Sequence, residues 1–188
     1  GMHRSGTSLL SRKLIDMKVF LGSYQDNNNE SIFFQRLNRW IMSCVGSSWD
    51  KPKSFYNVND LTIIERRLKN SLNSKSLNFI YFGIYKALLN HNFSNINYLW
   101  GWKDPSNTFT LPIWRNFFPN CKVIYVVRHP LDVSLSLFKR NNNLKKADFH
   151  KDKSSFFSKY LSLLSISHGG VSCSLNLNSI NDCLRLYN

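Results

Sequence analysis

Residues 122–136 run Lys122-Val123-Ile124-Tyr125-Val126-Val127-Arg128-His129-Pro130-Leu131-Asp132-Val133-Ser134-Leu135-Ser136. Val123, Ile124, Val126 and Val127 form a β-branched run, the pattern of a parallel strand covered on both faces. Pro130 suits the first turn of a helix, where its missing N–H leaves no bond unmade. Arg128 then stands at the end of the strand, and Ser136 lies inside the helix that follows. Ligand groups gather at the carboxyl ends of such strands. An arginine there can grip a phosphate through two parallel hydrogen bonds, which a lysine cannot reproduce. The plainer alternative for Arg128 is a surface ion pair with Asp132, four residues on.

The start of the chain carries a second anion motif, Gly1-x-x-x-x-Gly6-Thr7-Ser8. The glycine spacing is that of a P-loop, but Thr7 holds the place where nucleotide triphosphatases have lysine. Arg4 supplies a fixed charge inside the loop instead, with Ser5, Thr7 and Ser8 as hydroxyl donors. An apolar helix over Leu9–Met17 follows directly. Backbone N–H groups and the helix N-terminus therefore face one anion together.

Between these motifs the periodicity predicts helices over Ser31–Ser43, Asp60–Leu72 with Asp60 as N-cap, Leu77–Asn90, and Ser106–Phe118, the last bent or entered at Pro112. Tyr98–Trp102 is short and aromatic, as a buried strand is. Ser23–Asn29 and Gly46–Asn59 read as loops. The tail, Lys151–Asn188, reads as two helices broken at Gly169-Gly170. Strands alternating with helices give the class α/β, a P-loop-like parallel sheet flanked by helices in a single domain over residues 1–188. A phosphate loop beginning at Gly1 calls for a strand ahead of it. The expectation is thus a sheet whose first strand is missing, in a chain truncated at its N-terminus and at its C-terminus, a fragment that is inactive alone.

These stretches carry a family resemblance. His3-Arg4-Ser5-Gly6-Thr7-Ser8-Leu9-Leu10 is similar to the 5′-phosphosulfate loop of sulfotransferases that use 3′-phosphoadenosine 5′-phosphosulfate (PAPS). The strand, Arg128, Pro130, Asp132 and Ser136 resemble that family's 3′-phosphate signature. Trp100-Gly101-Trp102-Lys103-Asp104-Pro105 with Leu111-Pro112-Ile113-Trp114 resembles a segment of a microbial branch. The likeness runs from Gly1 to about Arg140, and more faintly to Ser172-Cys173-Ser174. It implies transfer of a sulfuryl group from PAPS to a hydroxyl or amine of a carbohydrate, lipid or small-molecule acceptor, without metal. Arg4, Ser5, Gly6, Thr7 and Ser8 would bind the 5′ end of the nucleotide, and Arg128 and Ser136 the 3′-phosphate.

Many cytosolic members place a catalytic histidine in a Lys-Thr-His run at the position where this chain has Lys103-Asp104-Pro105. The histidine is absent, so the base is sought among carboxylates. Glu30 is the candidate, as in polysaccharide-modifying members, and a glutamate beside a helix start is also favourable through the helix dipole alone. Asp26, Asp104 and His129 remain as alternatives. The catalytic set is then Arg4, Glu30 and Lys103.

Composition bounds the rest. The 188 residues carry 25 Lys and Arg against 11 Asp and Glu, a net +14, which suits an anionic partner. No nucleic-acid-reading motif accompanies that charge. Two rival readings stand beside the transferase: a P-loop kinase or ATPase, and an inactive polyanion-binding fragment. Cys44, Cys121, Cys173 and Cys183 lack zinc-ligand spacing and read as free thiols of a reducing compartment. No apolar run reaches the ~18 residues of a membrane span, so a cytoplasmic location is the expectation, with a targeting or membrane segment outside the chain left open.

Overall fold

The computed structural model describes residues 3–52, 61–89, 93–151 and 174–186, with side chains to 145 in the third stretch. Gly1, Asp60 as a cap, Asn90, the Gly169-Gly170 break, Cys173 and most of the tail lie outside the described residues. The chain divides into two units, Gly1–Val127 and Arg128–Asn188.

The first unit holds α1 (Thr7–Asp16), α2 (Ile32–Cys44), α3 (Thr62–Asn73), α4 (Lys75–Leu88) and α5 (Asn107–Phe117). Each lies within a few residues of its predicted span. The core is built from α2, whose Phe33, Phe34, Ile41 and Met42 are buried at helical spacing, against Ile64 and Leu68, Tyr81 and Phe82, and Ile113 and Trp114. Pro112 sits inside α5, between buried Thr110 and Ile113. Helix α4 is not continuous: Gly83 has φ 78° and ψ 164°, a conformation essentially reserved for glycine. Ser23 fills the break, taking Tyr81 O with its backbone N–H at 2.7 Å and Phe82 O with its hydroxyl at 2.7 Å.

The parallel sheet expected from the sequence is not there: among the described residues the chain is helical, without a strand. Pairing is confined to isolated bridges, parallel at Phe20 and Trp100 and antiparallel at Gln25–Ser31 and Ser48–Lys51. The parallel bridge has two bonds, Phe20 N–H to Leu99 O at 2.9 Å and Gly101 N–H to Phe20 O at 3.0 Å. It stops because Gly22, at φ 100°, turns the chain away after Leu21. The Tyr81 hydroxyl donates to Gly101 O at 2.7 Å, where a further rung would begin. Residues 122–127 are largely exposed, Val127 at 72 %, and pair in no ladder with any described segment. A β-branched run becomes a strand only when neighbours supply hydrogen bonds and a face to pack on.

The second unit holds α6 (Pro130–Lys151) and α7 (Ile180–Arg185). Pro130 opens α6 as expected, and Val133, Leu137 and Asn141 form its buried stripe. Asn141 binds the chain before α7, donating to Leu177 O at 2.8 Å and accepting from Ser174 N–H at 2.7 Å. Ser179 and Asp182 cap α7 reciprocally. Among the described residues no helix is long and apolar enough to cross a membrane.

Candidate active site

Arg4 and Gly6 both have positive φ, 66° and 99°. That alternation of backbone hand turns successive N–H groups toward one side of a loop. Gly6 is also the N-cap of α1, where no side chain caps the helix and no acidic residue stands in the first turn. By geometry the N–H groups of Thr7 and Ser8 have no acceptor within the helix. A Cβ placed on Gly6 would meet nothing within 4 Å, so that side of the loop is open. Ser5 is buried and Arg4 exposed.

The second wall is the turn 26–30, shaped by one carboxylate. Asp26 Oδ1 accepts from Asn28 N–H at 2.9 Å and Glu30 N–H at 2.8 Å, while Asn29 takes φ 60°. Asparagine and aspartate stabilise such turns by replacing a backbone acceptor with their own side chain. The turn leaves Asn28 O and the Glu30 carboxylate pointing at a common neighbour, Lys103.

Lys103 comes from the segment held by the Phe20–Trp100 bridge. Its ammonium donates to Glu30 Oε1 at 2.7 Å, Asn28 O at 3.2 Å and Ser8 Oγ at 3.4 Å. These three acceptors match its three protons. The ion pair is largely withdrawn from water, with side chains 12 % and 8 % exposed. Gln35, one turn into α2, donates to the other Glu30 oxygen at 2.9 Å and accepts from Arg39 at 2.7 Å. Burial pushes the Glu30 carboxyl above its ordinary value, and Lys103 opposes the shift without cancelling it.

Behind Lys103, Asp104 is buried and its carboxyl is likewise pushed up by desolvation. Its oxygens accept from Ser106 N–H at 2.8 Å and Asn38 Nδ2 at 2.8 Å. Asn38 also serves Asn107, Thr110 and Trp114. The Trp102 ring stacks on Phe34 at 3.9 Å and 7°.

Of the residues singled out in the sequence, Ser8, Glu30 and Lys103 converge on one ammonium group, with Arg4 through Thr7 forming the adjoining loop. Arg128 and Ser136 belong to the second unit. Arg128 Nε lies 3.7 Å from Asp132 Oδ2, with both side chains about half exposed, the ion pair that the i,i+4 spacing allows. Gln35 and Asn38 were not singled out. Asn38 had a signal: a polar residue within the stripe Phe34, Leu37 and Ile41 has to find buried partners.

An uncapped helix start presents N–H groups in the geometry that suits an anion, here with the Glu30–Lys103 ion pair set against its first turn. The chain belongs to the sulfotransferase family, whose pattern it matches over residues 1–167. Membership places it among transferases that move sulfuryl groups. No curated protein and no solved structure matches it.

Proposed function

We propose that the protein transfers a sulfuryl group from PAPS to a hydroxyl or amine acceptor, with the anion loop binding the 5′-phosphosulfate. The observation that carries this reading is the Lys103 ammonium, shared between Glu30 and the first turn of the loop helix. The donor set fits the ligand: backbone N–H groups, hydroxyls, Arg4, and Lys103 in exchange for its long bond to Ser8, with no carboxylate in the first turn of α1. In the reaction the acceptor oxygen or nitrogen bonds to sulfur as the bond from sulfur to the bridging oxygen breaks, releasing 3′-phosphoadenosine 5′-phosphate. The acceptor proton goes to Glu30, whose raised pKa suits a base better than an ordinary surface carboxylate. Arg4 and Lys103 offset the negative charge that grows on the leaving phosphate. Arg128 and Ser136 are assigned to the 3′-phosphate on their resemblance to the family signature alone.

Transfer of labelled sulfur from PAPS to a panel of carbohydrate, lipid and amine acceptors tests the proposal. Label should appear on at least one acceptor in excess EDTA, because arginine and lysine supply the cationic role. Hydrolysis of ATP that requires Mg²⁺, with no transfer of label, would favour the kinase or ATPase reading instead.

A further inference from the structure

Asn38 and Asp104 stand outside the residues that touch the anion loop, yet they join α2 to the segment carrying Lys103. Asn38 is fully buried and its amide is fully used. Nδ2 donates to Asp104 Oδ2 at 2.8 Å and Asn107 Oδ1 at 2.9 Å, while Oδ1 accepts from Thr110 Oγ1 at 2.8 Å and Trp114 Nε1 at 2.7 Å. A buried polar network with its members satisfied specifies one arrangement, since any slip leaves donors or acceptors stranded. Trp102 belongs to the same network, donating to Asn107 Oδ1 at 3.0 Å.

Helix α2 and its leading turn therefore hold three consecutive residues by three different means. Phe34 stacks on Trp102, Glu30 pairs with Lys103, and Asn38 bonds Asp104. The ion pair alone does not fix the lysine. A flexible four-carbon stem lets an ammonium follow its carboxylate from many backbone positions. Pinning the residues on either side removes that freedom.

We propose that Asn38 and Asp104 are positioning residues, whose buried hydrogen bond fixes the backbone at Lys103 and so holds its ammonium against Ser8 at the anion loop. The consequence for turnover rests on the sulfuryl-transfer reading; the positioning itself does not.

The test is a charge-swap cycle. Asp104→Asn keeps size and the acceptor for Ser106, but sets one amide donor against another. Asn38→Asp alone sets two carboxylates face to face. The double variant restores complementarity between positions 38 and 104, because the new carboxylate accepts from Thr110, Trp114 and the new amide; it loses only the bond to Asn107 Oδ1, which Trp102 still serves. Three readouts are taken on each protein: Tm, kcat and KM for PAPS, and the rate at which Lys103 is acetylated by acetic anhydride, mapped by peptide mass and scaled to Lys69, an exposed lysine of α3. Asp104→Asn should lower kcat about tenfold to hundredfold with KM nearly unchanged, as small misplacements of a reacting group do. It should also speed acetylation of Lys103 relative to Lys69. The double variant should return both toward the unmutated values. The proposal is overturned if Asp104→Asn leaves kcat and labelling unmoved, or if the double variant regains Tm while both stay altered. If the unmutated protein transfers no sulfuryl group, the functional reading fails, and the labelling series still decides the positioning role.

Discussion

Lys103 is surrounded by three acceptors, so deleting its side chain strands a buried carboxylate. Removing one partner of a buried pair costs about 3–5 kcal/mol, and Lys103→Ala should lose a stability of that order near neutral pH in urea unfolding. The sign of the pH dependence follows from Glu30. Its folded pKa lies above the ordinary 4.5, so the folded state holds the proton more tightly than the unfolded chain. Ionising it is therefore a cost that sets in as pH rises from 4.5 through the raised value and is fully present above. Without Lys103 the pKa rises further, so the deficit of Lys103→Ala should shrink as pH is lowered toward 4.5. A deficit that stays constant or grows on acidification would contradict the assignment. For turnover, Glu30→Gln should lower kcat about 10²–10⁴-fold, the usual contribution of a general base, with nucleotide binding retained. The acid limb of the pH–kcat profile should disappear with it. Near-normal turnover in that variant would move the search to Asp26 or His129, since Asp104 is buried with both oxygens engaged.

At the scale of elements, the break in α4 is a specific commitment. Gly83 combines a positive φ with a close approach: a Cβ there would lie 2.7 Å from Ser23 Oγ. Gly83→Ala should destabilise the protein by roughly 1–3 kcal/mol from backbone strain, with a further loss if Ser23 is displaced. A Tm equal to that of the unmutated protein would show that the break is not imposed by this residue. The helices themselves were legible, because Ile32, Phe33, Leu37 and Ile41 repeat at a spacing that only a helix places on one face. The strands were not. Val123 to Val127 have the side chains of a covered strand, but side chains do not supply the backbone partners that make one. At Tyr98–Trp102 a partner exists, yet Gly22 ends the pairing after one bridge. Of the site, Ser8, Glu30 and Lys103 were legible as separate residues from their motifs. Their meeting was not, since positions 8, 30 and 103 are brought together by the Asp26 turn, the Phe20–Trp100 bridge and the contacts of Phe34 and Asn38 with Trp102 and Asp104. Gln35 looks like an ordinary polar helix residue until its partners are known, whereas Asn38, set within the apolar stripe of α2, signals burial but not the identity of its partners.

Across the whole molecule the excess of 14 positive charges favours any polyanion and cannot by itself identify one. Discrimination between nucleotides can, because a 3′-phosphate distinguishes the PAPS product from AMP, and a triphosphate with Mg²⁺ distinguishes the rival reading. The most direct measurement is calorimetric titration of the protein with 3′-phosphoadenosine 5′-phosphate, AMP and ATP, each with Mg²⁺ and with EDTA. A single 3′-phosphate held by charged hydrogen bonds is worth about 1.5–3 kcal/mol, which is roughly tenfold to hundredfold in affinity. The 3′-phosphorylated nucleotide should bind tighter than AMP by that factor in EDTA as in Mg²⁺, and Arg128→Ala should remove the advantage. Equal affinity for the 3′-phosphorylated nucleotide and AMP, or preferential binding of ATP that depends on Mg²⁺, would contradict PAPS as the donor.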